Sequence, residues 1–279
     1  MSYFKVLNLE SEPFSTSPDP AFFYQSSGHR SALHRLEIAI RLRRGLSLIL
    51  GDVGIGKTTL SRILLQTFAN EDDFIFHMIL DPNYKSEFQF LKTLAKMFGV
   101  VSMHKSTLDY KEAIEKFLFQ KGVDENKTIV LVIDEGQKLN PSFLEILRTL
   151  LNYETNEYKL LQLVIFSQME LLPKIRKIRN FIDRVALKYI INSLDEAETK
   201  EMVNFRLHKA GYNNSSGDLF TDTAIKLIFN HTQGYPRKIA MLCHNALEAI
   251  VMNQQSFVDD KVISDLIMEE LKQGWMTIV

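Results

Sequence analysis

Leu46-Ser47-Leu48-Ile49-Leu50 is an apolar run that delivers Gly51-Asp52-Val53-Gly54-Ile55-Gly56-Lys57-Thr58-Thr59, and Leu60-Ser61-Arg62-Ile63-Leu64-Leu65 continues as a helix would. The spacing of Gly51, Gly56, Lys57 and Thr58 is that of a phosphate-binding loop. A strand before it and a helix after it are the context such a loop requires. Three glycines let the backbone wrap close to an anion, and the free N–H groups and positive end of the following helix face that anion. Lys57 then reaches the β and γ oxygens, and Thr58 offers a hydroxyl to a magnesium ion. The stretch predicts binding of a nucleoside triphosphate, ATP or GTP, through Gly51 to Thr59.

A second stretch gives the site its chemistry. Thr128-Ile129-Val130-Leu131-Val132-Ile133 is an uninterrupted β-rich run with Asp134-Glu135 at its carboxyl end, where ligands of open α/β sheets bind. Asp134 is expected to orient magnesium or its water, and Glu135 to polarise the attacking water as general base. An acidic pair after a strand ordinarily just caps a helix. With a phosphate loop upstream it takes the catalytic reading. Phe74 to Leu80 reads as a further strand, expected to be buried on both faces as parallel strands are. Leu160 to Phe166 is another, ending in Ser167-Gln168, and a last one lies near Tyr189-Ile190-Ile191. A polar residue at Ser167 or Gln168 would sit between the acidic strand and the phosphate-loop strand, placed to sense the γ-phosphate or to position the water. Helical patterns at about Ser86 to Phe98, Tyr110 to Gln120 and Pro141 to Tyr153 connect these strands.

The flanks extend this frame. From Met1 to about Gln25, Pro13, Pro18 and Pro20 interleave with Tyr3, Phe4, Phe14, Phe22, Phe23 and Tyr24. Such an arm is irregular yet too apolar to float, and is expected to pack along the nucleotide domain. Ser26 or Ser27 caps a helix from about His29 to Arg43, which Gly45 ends. His29 and Arg30, just ahead of the first strand, are candidates to flank the adenine, an exposed cap region being the alternative. Lys174-Ile175-Arg176-Lys177-Ile178-Arg179 carries four cations in six positions and reads as a solvated helix face, or as the source of an arginine that reaches a neighbour's γ-phosphate. Asp183-Arg184-Val185-Ala186-Leu187 leads into the last strand. From about Asp195 four helical patterns follow: Glu196 to Ala210, Thr221 to His231, Arg237 to Asn253 and Asp259 to Lys272. At their waist stands Gly234-Tyr235-Pro236-Arg237, where Pro236 suits a first helical turn and Arg237 can turn back towards the nucleotide. Asn213 to Gly217 is a loop without assignable chemistry. The chain thus divides into residues 1–44, an arm and helix on the nucleotide domain; 45–193, the α/β domain; and 194–279, an all-helical lid.

Composition sets the bounds. The 279 residues, 46% of them hydrophobic, suffice for a nucleotide-binding domain and a smaller companion. Lys and Arg number 33 against 34 Asp and Glu, so no global basic field marks a nucleic-acid binder, although a local patch stays open. Cys243 is the only cysteine, which excludes an intramolecular disulfide and a zinc cluster, and its setting reads as a buried helical thiol. His34, His77, His104, His208, His231 and His244 share no metal spacing and read as structural. The N-terminus lacks a signal-peptide pattern, and no run approaches the ~20 apolar residues that cross a bilayer, which points to the cytoplasm. Trp275 to Val279 reads as a frayed tail or a small docking segment.

With these pieces in place the chain resembles the AAA+ ATPases, and within them the ExeA (general secretion pathway protein A) type with its shorter MshM-like pilus-biogenesis members. The likeness spans nearly the whole chain. It is carried by Pro13-Phe14, Ser17-Pro18-Asp19-Pro20-Ala21-Phe22-Phe23-Tyr24 and His29-Arg30-Ser31-Ala32-Leu33 in the arm, by Gly51 to Thr58, by Asp134-Glu135-Gly136-Gln137, and by Gly234-Tyr235-Pro236-Arg237-Lys238-Ile239. By that resemblance the fold is an α/β AAA+ P-loop NTPase with a parallel central sheet and a C-terminal helical lid. The ligands are ATP and Mg2+, Ser167 or Gln168 is the first sensor, Arg184 the arginine finger with Arg179 competing for the role, and Arg237 the second sensor. The chain departs from the family pattern in having Gly136 where an alanine is usual, and Ser167-Gln168-Met169-Glu170-Leu171 where Gly-Gln-Pro-Glu-Leu is usual. Full-length secretion members continue into a transmembrane helix and a periplasmic peptidoglycan-binding part, so anchoring to the cell wall is not expected of these residues.

The resemblance implies a Mg-dependent ATP hydrolase, cytoplasmic or peripheral at the inner membrane through a partner. Its nucleotide sites would be shared within a homo-oligomer, and it would assemble or energise a secretion, pilus or export system. The alternative is an ATP-switched DNA-binding regulator like the transposition ATPases TnsC and MuB. Arg41, Arg43, Arg44 and Lys174 to Arg179 would then contact phosphates, with a steep salt dependence.

Overall fold

A computed structural model describes residues 3–100, 106–213 and 217–273. The expectations for Trp275 to Val279, for His104 and for the middle of the 213–217 loop lie outside these residues. In chain order the helices are α1 (Tyr3–Val6), α2 (Ser27–Arg41), α3 (Lys57–Thr67), α4 (Glu87–Met97), α5 (Thr107–Phe119), α6 (Pro141–Leu150), α7 (Leu171–Arg176), α8 (Glu196–Lys209), α9 (Asp222–Thr232), α10 (Pro236–Met252) and α11 (Asp260–Lys272). The strands are β1 (Leu46–Leu50), β2 (Phe74–Ile79), β3 (Thr128–Ile133), β4 (Leu161–Ser167) and β5 (Val185–Ile190). Two compact units result. One comprises residues 27–53 and 60–191; the other comprises 3–26, 54–59 and 192–273.

The first unit is built on a single parallel sheet in the order β2-β3-β4-β1-β5. β3, β4 and β1 are buried along their whole length, as their richness in Leu, Ile and Val anticipates. β2 does not follow that expectation. It lies at the sheet edge, and five of its six residues are only partly buried, because an edge strand has a neighbour on one side and less cover. At the opposite edge, β5 alternates between half-buried and exposed residues. Along the inner strands the pleat sends alternate side chains to opposite faces. Leu48, Leu131 and Leu163 join Leu94, Ile114, Leu147 and Ile175 of α4 to α7 in one cluster, whereas α2 lies against β1, β3 and β5.

Capping chemistry sets the helix boundaries. Ser86 accepts from the Gln89 N–H, Ser106 and Asp109 form a reciprocal capping box, and Asn140 accepts from the Phe143 N–H with Pro141 in the first turn. Each satisfies N–H groups that the first helical turn leaves without partners.

The second unit gathers α8 to α11 around a core that includes Ile228, Ile239, Leu242, Cys243 and Leu247. Desolvation pushes the Cys243 thiol up from its ordinary value, so it is inert packing, as the sequence suggested. The arm belongs to this unit, which corrects the expectation that it packs along the nucleotide domain. Leu9 and Phe14 are buried in the helical core, with Tyr3, Phe4, Leu7, Phe22 and Tyr24 packed against it. Backbone contacts fix the arm further: the Glu10 N–H donates to the Ala210 carbonyl at 2.7 Å, and Arg206 Nη1 donates to the Ser15 carbonyl at 3.1 Å. The reason is geometric complementarity of apolar surface, since Phe14 meets Phe220 edge-on at 6.0 Å. Among the described residues no helix is long and apolar enough to cross a membrane.

Phe14→Ala is therefore expected to destabilise the helical unit by about 3–5 kcal/mol, the usual cost of emptying a buried aromatic site. Denaturant unfolding followed by circular dichroism measures it. An unchanged midpoint would place the arm outside that core.

Candidate functional site

Gly51 to Thr59 leaves the carboxyl end of β1 and runs into α3, whose first residue is Lys57. The Gly51 N–H donates to the Ser167 carbonyl at 3.2 Å, so the start of the loop is tied to the end of β4. Gly54 and Gly56 adopt φ of +78° and +100°, a region that other residues enter only with strain. Lys57 and Thr59 are buried, Thr58 is half-buried, and Asp52 and Val53 are exposed. Within the same unit the loop meets the Gly-Tyr-Pro-Arg segment. The Arg237 N–H donates to the Gly54 carbonyl at 3.2 Å, and a Cβ on Gly54 would lie 2.8 Å from Arg237 Cβ. A four-residue signal that is weak in sequence thus comes to lie on the loop.

The acidic pair is organised by the turn that follows β3. Asp134 is 2% exposed, and its Oδ1 accepts the Glu135 N–H at 2.9 Å. Glu135 itself is left-handed, with φ 53° and ψ 37°, a conformation that costs about 1–3 kcal/mol outside glycine. Gln137 then joins the pair to the end of β4. Its Nε2 donates to Glu135 Oε2 at 2.6 Å, and its Oε1 accepts from the Gln168 N–H at 3.1 Å and from Ser167 Oγ at 3.2 Å. Ser167 is fully buried, and its hydroxyl also lies 3.0 Å from the Gln168 carbonyl. Both candidate first sensors are therefore in one hydrogen-bond network with the candidate base.

Two departures from the family pattern meet here. A Cβ on Gly136 would lie 2.4 Å from Ile165 Cγ2, 3.2 Å from the Phe166 carbonyl oxygen and 3.2 Å from Ser167 Cβ. The turn thus sits closer to β4 than an alanine would permit, beside a strand end that carries a serine side chain. Lys174 secures the turn from α7, donating to the carbonyls of Gln137 and Leu139. In the sequence Lys174 reads as one of the cations of a solvated face, and Gln137 carries no assigned role. A glutamine two residues after the base was the available signal for the second; nothing in the sequence marked the first.

The remaining candidates are placed as follows. His29 is buried in the first turn of α2, not in an exposed cap, while Arg30 is exposed. Arg184 is half-buried in a single 3-10 turn before β5, its Nε buried and without a hydrogen-bond partner among the described residues; Arg179 is exposed. Of the arginines proposed for DNA, Arg41 pairs with Glu71 at 2.7 Å and Glu37 at 3.0 Å, which push its pKa up, and lies over the Phe68 ring. Arg43 donates to Thr128 Oγ1 at 2.9 Å and to the Asn126 carbonyl at 2.8 Å, and covers Tyr158. These side chains are committed within the chain.

The donor set fits a magnesium triphosphate. By chemistry alone, a buried lysine cation suits phosphate, and the threonine hydroxyl of one unit and the buried carboxylate of the other are hard oxygens of the kind taken by Mg2+, an ion that has few protein ligands and completes its shell with phosphate and water. Among the described residues no cluster of three or more His, Cys, Asp and Glu side chains offers a metal site of its own.

A parallel sheet in this order, with a phosphate loop after β1, an acidic pair after β3 and a helical C-terminal unit, is the AAA+ P-loop fold, and the chain adopts it. The AAA domain family matches residues 40–175. Its sequence is similar to that of general secretion pathway protein A from Aeromonas hydrophila, 35% identical over 257 residues, covering 88% of this chain and 44% of that protein. The chain thus spans less than half the length of this relative. In fold it is similar to the Aeropyrum pernix ORC2 protein in its ADPNP–ADP complexes, with a TM-score of 0.64 at 14% identity over 93% of this chain and 72% of that one. It is likewise similar to Cdc6p from Pyrobaculum aerophilum, with a TM-score of 0.64 at 16% identity over 88% and 67%. The Thermotoga maritima RuvB Holliday junction branch migration motor gives 0.56 at 14% identity over 88% and 72%.

Gly136→Ala should cost about 1–3 kcal/mol, because Ile165 and the turn must move apart to admit the methyl group. Denaturant unfolding reads this out, and wild-type stability would show that the turn has room to spare.

Proposed function

We propose that the chain binds Mg·ATP on Gly51 to Thr59 and hydrolyses it, using the nucleotide state to assemble or energise a secretion, pilus or export system. The observation that carries this reading is the network in which buried Asp134, left-handed Glu135 and the Ser167–Gln168 strand end are joined through one turn. Lys57 and the loop N–H groups hold the phosphates, with Thr58 and Asp134 holding Mg2+. Once bound, the ion neutralises phosphate charge. Glu135 takes the proton of the attacking water, and Ser167 or Gln168 orients the γ-phosphate or that water. Arg237, already on the loop through its backbone, acts as second sensor; His29 and Arg30 flank the adenine.

Arg184 takes the role of the finger that completes a neighbour's site by the likeness to AAA+ ATPases, and a homo-oligomer with shared sites goes with that role. The export context is supported by the 35% identity to general secretion pathway protein A. A separate membrane-associated partner fits a protein that acts at the cytoplasmic face of the inner membrane. The DNA-regulator reading is weaker, because Arg41, Arg43 and Lys174 spend their donors inside the chain.

Lys57→Ala is expected to abolish ATP binding in a titration; undiminished affinity would remove the loop assignment. Glu135→Gln should bind ATP and lose turnover by about 10²-fold or more, and wild-type turnover there would mean another base. Arg184→Ala should lower hydrolysis while binding persists, with partial recovery on mixing with the Lys57 variant. The same pattern from Arg179→Ala instead would move the finger to Arg179.

A further inference from the structure

Gln137 spans the gap between the general base and the end of β4 with a single neutral amide. The orientation of that amide is fixed by its partners. Glu135 Oε2, at 2.6 Å, belongs to a carboxylate and can only accept, whereas the Gln168 N–H, at 3.1 Å, can only donate. Turning the amide over would set acceptor against acceptor and donor against donor, so Nε2 faces the base and Oε1 faces the strand end.

The backbone beneath it is pinned. Gly136 leaves no space for a methyl group against Ile165, and Lys174 donates to the carbonyls on both sides of Lys138, those of Gln137 and Leu139. What can respond is the side chain and the Ser167 hydroxyl. That hydroxyl has one proton and two acceptors in reach, Gln137 Oε1 at 3.2 Å and the Gln168 carbonyl at 3.0 Å. Gln168, half-buried, is the part of this strand end that an anionic oxygen can approach, and a shift of its N–H or carbonyl would pass through the Ser167 hydroxyl and the Gln137 amide to the hydrogen bond that holds Glu135.

We propose that Gln137 is a positioning residue that couples the Ser167–Gln168 strand end to Glu135, so that the base is aligned according to what occupies that end. The inference rests on the ATPase reading, in which Glu135 is the base. It does not require Gln137 to touch nucleotide. Its contribution is to the orientation of a carboxylate whose own backbone is in an unfavourable left-handed conformation and is therefore held by its surroundings.

The test uses the full chain and two substitutions. Gln137→Met keeps the length of the side chain and removes both polar ends; Gln137→Glu keeps an acceptor for Ser167 and Gln168 and removes the donor to Glu135. For each, kcat and KM for Mg·ATP are measured beside the affinity for a fluorescent, non-hydrolysable ATP analogue and the Tm. The expected result is a kcat lowered by about 10- to 100-fold in both, the scale for a residue that orients a catalytic group, with KM and analogue affinity within about threefold of wild type. Ser167→Ala should lower kcat in the wild type and add nothing in the Gln137→Met background, since the two act through one connection. A Gln137→Met protein with wild-type kcat, or two substitutions whose effects multiply, would overturn the proposal. Should the Met variant fail to fold, the Glu variant decides, and wild-type kcat there overturns it. Glu135→Gln run in parallel separates the two claims. If it keeps turnover, the base assignment fails and the role of Gln137 with it. If it loses turnover while the Gln137 variants do not, only the coupling fails.

Discussion

The register of the parallel sheet is the constraint on which the site depends. Leu50 pairs with Ser167 across β1 and β4, and Ile133 with Ile165 across β3 and β4. Parallel pairing therefore brings three chain ends to one edge: Gly51 of the loop, Ser167 and Gln168, and Asp134 with Glu135. A slip of one residue in any pair would reverse the faces of its side chains and draw the acidic pair away from the strand end it is bonded to. The full burial of these three strands stabilises that register, since each would expose apolar surface by slipping.

On this edge the structure concentrates its local exceptions. Glu135 is left-handed, Gly136 is packed too tightly for a side chain, and Gln137, Ser167 and Lys174 use polar groups to join three elements. Strained backbone of this kind persists where its surroundings determine it. The exposed ion pairs elsewhere, such as Lys121 with Glu125, contribute little by comparison, because solvent screens them.

Much of this was legible in the sequence because it depends on local patterns. The phosphate loop with its strand and helix, the run ending in Asp134-Glu135 and the four C-terminal helices each carry their own periodicity and punctuation, and the strands and helices appear where those patterns place them. What was not legible depends on pairing at long range. The half-buried state of β2 follows from its place at the sheet edge, which its apolar sequence cannot declare. The arm joins the helical unit because Phe14 and Leu9 complete a core assembled from residues some 200 positions away, such as Phe220 and Leu242. Lys174 reads in sequence as a cation of a solvated face and Arg41 as a phosphate contact of the DNA alternative, whereas the carbonyls of the β3 turn and Glu71 lie beside them. Gln137 acquires its meaning only from Ser167 and Gln168, about 30 residues on.

The central claim is that this edge of the sheet carries out hydrolysis of a bound triphosphate. Its most direct test is single-turnover release of phosphate from ATP by the wild-type protein, with and without Mg2+, under conditions where binding is independently saturated. The account predicts release that depends on Mg2+. Saturated binding with no release above the uncatalysed rate would contradict it, and would leave the chain a nucleotide-binding scaffold with an idle acidic pair.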